Sequence, residues 1–162
     1  MAGAPHTWTY PEIRRVLDDA AADPDAVVLT VGTSGATGSP KRARLSARAL
    51  VASAGSILET LGGPGQWLLA TPATHIAGIQ VLVRSAITGI EPVVIEAGGF
   101  TADRFAVAAH RLTHARRYVS LVPTQVLRLL EEPAGRSALA GFTAVLVGGA
   151  AVPPTLRAVA ED

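Results

Sequence analysis

The sequence predicts an α/β fold, a layered α/β/α arrangement on a mostly parallel sheet. Three observations predict it. Short β-branched runs alternate with segments of helical period through most of the 162 residues. Glycines, prolines and capping residues punctuate the junctions. No repeat, low-complexity linker or second domain interrupts the chain, so residues 1–162 read as one α/β domain.

The elements follow in order. Thr9-Tyr10-Pro11-Glu12 reads as a capping box with an early helical proline. Ile13, Val16, Leu17 and Ala20 share one face of that helix, which should end before Pro24. Ala26 to Val31 is a short β-branched run, expected as a buried strand. Arg42 to Leu45 is expected as a second strand. Ser46 caps a helix from Ala47 to about Leu61, closed by Gly62 and Gly63. Gln66 to Thr71 is a strand, and His75 to Thr88 a mostly apolar helix ended by Gly89. Pro92 to Ile95 is a strand, and Thr101 caps a helix carrying Phe105, Ala108, Ala109 and Leu112. Tyr118 to Val122, Thr124 to Glu131 and Ala144 to Val147 read as strand, helix and strand, with a last helix over Pro153 to Ala160. Strand order stays open at this level.

Composition narrows the function classes. Apolar content of 49% supports a packed core, and a net charge of +1 gives no electrostatic reason to expect nucleic acid or an anionic membrane. Cysteine is absent, which excludes a disulfide frame, a thiol nucleophile and a cysteine zinc site. Met1 to Pro11 has no signal-peptide character. The apolar stretch from Ile76 to Ile90 carries Arg84 and is too short to span a bilayer. A cytoplasmic protein is expected.

The chemistry concentrates in Thr30 to Lys41, T-V-G-T-S-G-A-T-G-S-P-K. Gly32, Gly35 and Gly38 allow close backbone approach to a ligand, and successive amides in such a loop can form an anion nest. Thr33, Ser34, Thr37 and Ser39 add hydroxyl donors. Lys41, the one lysine in the sequence, adds a compact cation. These are the parts of a loop that wraps a polyphosphate, although the same residues also suit a plain turn. Ser39 and Pro40 separate the last glycine from Lys41, so this is not a Walker A loop. The spacing G-x-x-G-x-x-G is not the dinucleotide fingerprint, and no G-x-S-x-G elbow surrounds Ser34.

The stretch resembles the signature loop of the adenylate-forming enzymes, which include acyl-CoA synthetases, luciferases and peptide-synthetase adenylation domains. The family form is T-S-G-[ST]-T-G-x-P-K. Thr33, Ser34, Gly35, Thr37, Gly38, Pro40 and Lys41 match, and Ala36 departs where a hydroxyl is usual. Three later stretches follow in the family's order. Thr71 to Gly78 resembles its P-x-x-H-x-x-G segment, Val122-Pro123-Thr124 its V-P-T segment, and Val147 to Ala150 its glycine turn. Gly78 to Gly89 is most similar to the o-succinylbenzoate–CoA ligases of menaquinone synthesis.

The resemblance implies the front part of such an enzyme's large N-terminal domain. It also implies activation of a carboxylic acid as an acyl-adenylate, followed by thioester formation with coenzyme A. ATP, coenzyme A and Mg²⁺ would serve the complete enzyme. Thr33, Ser34, Gly35, Thr37, Gly38 and Lys41 would hold the β- and γ-phosphates. Gly148, Gly149 and Ala150 would lie along the adenine, and His75, Gly78 and Thr124 would border the acyl group. The acid expected first is o-succinylbenzoate-like, and a fatty or other aryl acid second. The four segments follow the ends of expected strands, so they are expected on one rim of the sheet.

The family's aromatic-Gly-x-Thr-Glu segment, its ribose-binding Asp and its late catalytic lysine have no counterpart here. A chain inactive alone is therefore expected, with an exposed sheet edge that a second copy or the rest of the enzyme would cover. The alternative is a non-catalytic nucleotide-binding or interaction module derived from such a ligase. Two further features turn on residue chemistry. His110 and His114 stand at i, i+4, but no carboxylate accompanies them, so no metal site is expected. Arg84 either snorkels to water or meets a substrate carboxylate, and snorkelling is the expectation.

Overall fold

The hairpin that opens the chain's β-structure is held at its base by one ion pair. Arg48 donates through Nε and Nη2 to the two carboxylate oxygens of Asp25, at 2.6 and 3.0 Å. The Arg48 amide donates to the Pro24 carbonyl at 2.9 Å. That guanidinium holds the Asp25 carboxyl below its ordinary value. Above this base, β1 (Val27–Thr33) pairs antiparallel with β2 (Lys41–Ser46), from Val27 opposite Ser46 to Thr33 opposite Lys41.

The computed structural model describes residues 6–33, 41–96, 98–152 and 156. Contacts divide the chain into two compact units. One comprises Met1–Pro64 with Pro72–Gly89, the other Gly65–Thr71 with Ile90–Asp162.

In the first unit, α1 (Tyr10–Asp19) begins where the Glu12 carboxylate accepts from the Thr9 amide and hydroxyl, at 2.8 and 2.7 Å. Those two bonds, the hydroxyl first, lower the Glu12 pKa. Ser46 Oγ caps α2 (Ala47–Thr60) by accepting from the Ala49 amide. The third helix, α3 (Ile76–Thr88), ends at Gly89 and packs against α1 and α2. The burial of Ile13, Leu50, Ala54, Ile79, Val81, Leu82 and Val83 makes this unit's core.

In the second unit a four-stranded parallel sheet runs in the order β4-β3-β5-β6. Its strands are β3 (Gln66–Leu69), β4 (Val93–Val94), β5 (Arg117–Leu121) and β6 (Ala144–Val147). The helices are α4 (Ala102–His110), α5 (Pro123–Glu131) and α6 (Pro133–Leu139), and α6 packs on both α4 and α5. Leu68, Val93, Val119 and Leu121 of the sheet meet Phe105, Ala108, Val126 and Leu129 of the helices in one core. Phe105 stands between Phe100 and Phe142, with ring centres 5.9 and 5.6 Å away. Trp67 and Tyr118, register partners on β3 and β5, are both fully buried with ring centres 5.2 Å apart. A large side chain fully buried in this way is worth about 1.5–3 kcal/mol.

The parallel sheet bears out the α/β expectation, and several element readings are corrected. The first strand is not buried throughout: Leu29 and Val31 are buried while Val27 is 45% exposed, because a two-stranded antiparallel ribbon alternates its faces. Helix α1 ends at Asp19, before Pro24 as expected, and Ala21 and Asp23 close turns onto Asp18 and Ala20. Helix α6 was not foreseen. Its seven residues contain a glycine and too few periodic positions to register, although Pro133 at its first position is a start signal. Helix α4 ends at His110, so His114 shares no helix face with it; its Nδ1 accepts from the Arg116 amide instead. The helix expected over Pro153 to Ala160 lies outside the described residues except for Leu156, which is helical and buried.

A Cβ on Gly65 would stand 2.5 Å from Tyr118 Cε2 and 2.8 Å from the Arg116 carbonyl oxygen. Gly65→Ala therefore forces the β3–β5 entry apart and should cost about 1–3 kcal/mol, as overpacking does. Denaturant unfolding of the two proteins measures the difference; equal midpoints would contradict the contact.

Candidate functional site

Parallel strands leave backbone groups to be satisfied at both ends of the sheet. At the carboxyl ends of β3 and β5 one side chain does this. Gln125, in the first turn of α5, accepts from the Val122 amide through Oε1 at 2.9 Å and donates from Nε2 to the Ala70 carbonyl at 3.0 Å. Val122 is the residue before α5 and has no side-chain acceptor, so its own side chain caps nothing. Its carbonyl accepts from the Gln125 and Val126 amides at 2.9 and 3.2 Å. The Gly148 amide donates to the Leu121 carbonyl at 3.1 Å, which continues the β5–β6 ladder past Val147. Gly149 follows with φ +81°, a conformation that favours glycine.

Two of the anticipated segments, Val122 to Thr124 and Gly148 to Ala150, thus meet at one rim of the second unit, where Gln125 also holds Ala70. Thr124 and Gly148, Gly149 and Ala150 are exposed there, while Thr71 is buried and its Oγ1 has no hydrogen-bond partner among the described residues. Gln125 was not singled out from the sequence. Its signal was its place three residues after the residue preceding the helix, where Gln or Glu reaches back to the backbone.

The first unit carries the other segments. Thr33 and Lys41 are register partners at the open end of the hairpin, so the Gly-rich run is the connection between β1 and β2, as expected. Ser34, Gly35, Thr37 and Gly38 lie outside the described residues. His75 directly precedes α3, with its amide bonded to the Pro72 carbonyl at 3.2 Å. Gly78 is buried in the first turn of that helix.

Farther along α3 stand Gln80, Arg84 and Ser85, at 8, 7 and 0% exposure. Gln80 and Arg84 are one turn apart on one face. Snorkelling is therefore corrected: the Arg84 side chain is buried, and desolvation lowers its pKa to about 10. The local rule failed because it presumes a wet face, and α3 is buried from Gly78 through Ser85. Gln80 Oε1 and Ser85 Oγ have no hydrogen-bond partner among the described residues. Among the described residues no group of three or more His, Cys, Asp or Glu gathers to hold a metal ion, and no helix is long and apolar enough to cross a membrane.

The model of the AMP-binding enzyme family matches residues 3–162. The chain belongs to this family. A probable 2-succinylbenzoate–CoA ligase of Mycobacterium tuberculosis is 51% identical over 138 residues, or 84% of this chain and 36% of that protein. A sulfoacetate–CoA ligase of Cupriavidus necator is 34% identical over 95% of this chain and 31% of that protein. The fold is similar to o-succinylbenzoate coenzyme A synthetase of Bacillus subtilis solved with AMP, at TM-score 0.71 and 28% identity over 86% of this chain and 28% of that one. The same enzyme with ATP and magnesium ion gives TM-score 0.68, again at 28% identity over 86% of this chain and 28% of that one. The chain thus spans about a third of the length of the curated relatives it matches.

The Arg84 burial has a consequence for stability. A lowered arginine pKa means that the folded state binds this proton less tightly than the unfolded chain does. The charge costs stability below about pH 10, and the cost is relieved as pH rises through that value toward the ordinary arginine range. Arg84→Met, similar in length and uncharged, should melt at the same temperature as the wild type or higher at neutral pH. A clearly lower melting temperature would show that the charge stabilises the fold.

Proposed function

We propose that this chain provides the ATP- and acid-binding part of an AMP-forming acid–CoA ligase, with o-succinylbenzoate the first candidate acid. The observation that carries the proposal is the rim at the carboxyl ends of β3, β5 and β6, where the family's V-P-T and glycine-turn segments lie side by side in a parallel sheet. The similarity to a 2-succinylbenzoate–CoA ligase supports it.

In this reading the acid's carboxylate oxygen attacks the α-phosphorus of ATP and pyrophosphate leaves. The coenzyme A thiol then displaces AMP. Thr33, Ser34, Gly35, Thr37, Gly38 and Lys41 offer amides, hydroxyls and one cation to the β- and γ-phosphates, where charge concentrates as pyrophosphate departs. Ala36 removes one hydroxyl from that set. Gly148, Gly149 and Ala150 lie along the adenine, and the absence of side-chain bulk at the two glycines admits a flat ring. His75, Gly78 and Thr124 border the acyl group. Arg84 reads a second acidic group on the substrate. The relatives support this, since succinylbenzoate and sulfoacetate each carry a second anionic group. Mg²⁺ would serve the complete enzyme, as the neighbour solved with ATP and magnesium ion suggests.

Isothermal titration of the 162-residue chain with ATP and with a non-hydrolysable succinylbenzoyl-adenylate analogue tests the proposal. Both should bind. Lys41→Ala should weaken ATP by about tenfold or more, the scale of one lost charge-assisted contact. Arg84→Met should weaken the analogue but leave ATP unchanged. Absence of binding by either ligand would overturn the reading. Binding without pyrophosphate exchange, even in a chain extended to the relatives' length, would favour a non-catalytic nucleotide-binding module.

A further inference from the structure

We infer that Gln125 is the positioning residue of the nucleotide- and acid-facing rim, a role that rests on the site reading above. Three segments hang from its neighbourhood. Its Oε1 fixes the Val122 amide at 2.9 Å and its Nε2 fixes the Ala70 carbonyl at 3.0 Å. A Cβ on Gly149 would lie 3.3 Å from Val122 Cγ1, so the glycine turn approaches the same residue closely. One side-chain amide therefore spans the gap between the ends of β3 and β5, and through Val122 it sets where Gly148 to Ala150 begin. The span joins residues 55 positions apart in sequence.

Only an amide does this. The bond to Val122 needs an acceptor and the bond to Ala70 needs a donor, on one planar group. Glutamate keeps the first bond and presents a second acceptor to a carbonyl. Methionine keeps the length and loses both bonds.

A second glutamine provides the internal control. Gln66, where β3 begins at the opposite end of the sheet, accepts from the Thr113 and His114 amides at 2.8 and 3.2 Å and donates to the Glu91 carbonyl at 3.2 Å. It braces strand ends in the same way but lies away from the rim. Loss of either brace costs stability; only loss of Gln125 should reach the ligand.

The experiment compares Gln125→Glu, Gln125→Met and Gln66→Met in the whole chain. Melting temperature, affinity for ATP and for the acyl-adenylate analogue, and amide NMR spectra are measured for each. Both Gln125 variants should weaken the analogue by about tenfold, since small misplacement of a binding group has large effects. Gln66→Met should lower the melting temperature with affinity within about twofold of wild type. The Thr71 amide, which shares its peptide group with the Ala70 carbonyl, should shift in both Gln125 variants, and the Val122 amide should shift far more in Gln125→Met than in Gln125→Glu. An affinity loss in Gln66→Met as large as in the Gln125 variants would reduce the effect to stability and overturn the inference. So would an unmoved Thr71 amide. A wild-type chain that binds neither ligand overturns the proposed function, and the Thr71 and Val122 shifts then decide the clamp alone.

Discussion

In the second unit everything depends on how β5 is held between its neighbours. A parallel strand cannot turn back on itself, so its ends run into loops that carry unpaired backbone groups. Here β5 lies between β3 and β6, and each end is tied by a polar group from elsewhere in the chain. At its start the Thr143 hydroxyl accepts from the Arg117 amide, while the Thr143 amide returns a bond to the Arg117 carbonyl at 2.8 Å. At its finish Gln125 and the Gly148 amide do the same work. Side chains that complete the ladder leave Thr124 and Gly148 to Ala150 exposed beyond it.

The first unit solves a different problem. An antiparallel ribbon fixes both ends of the Gly-rich connection with few residues, because Thr33 and Lys41 are paired directly. The Asp25–Arg48 fork ties the far end of the ribbon to the start of α2. This pair is exposed and contributes geometry more than stability. The buried Arg84 is the opposite case. Its burial disfavours the charged form and lowers its pKa to about 10.

Family membership rests on a match across residues 3–162, and the glycine-rich run with its hydroxyls and one lysine lies within that span. The matched region makes up 36% and 31% of the Mycobacterium tuberculosis and Cupriavidus necator relatives.

Elements whose causes are local were legible in the residues alone. The capping residues Thr9, Ser46 and Thr101, the stop at Gly89, the alternation of strand and helix, and the glycine loop as a connection between two strands all arise within a few residues of one another. The strand order, the depth of Arg84 and the two-ended grip of Gln125 emerged only from the folded chain. Each of these joins atoms far apart along the chain, and no period or cap encodes which distant carbonyl an amide will reach. His114 shows the reverse failure: a spacing suggestive of a shared face meant nothing once α4 stopped at His110. Local propensity sets the pieces, and the hydrogen bonds between remote backbone groups set where they meet.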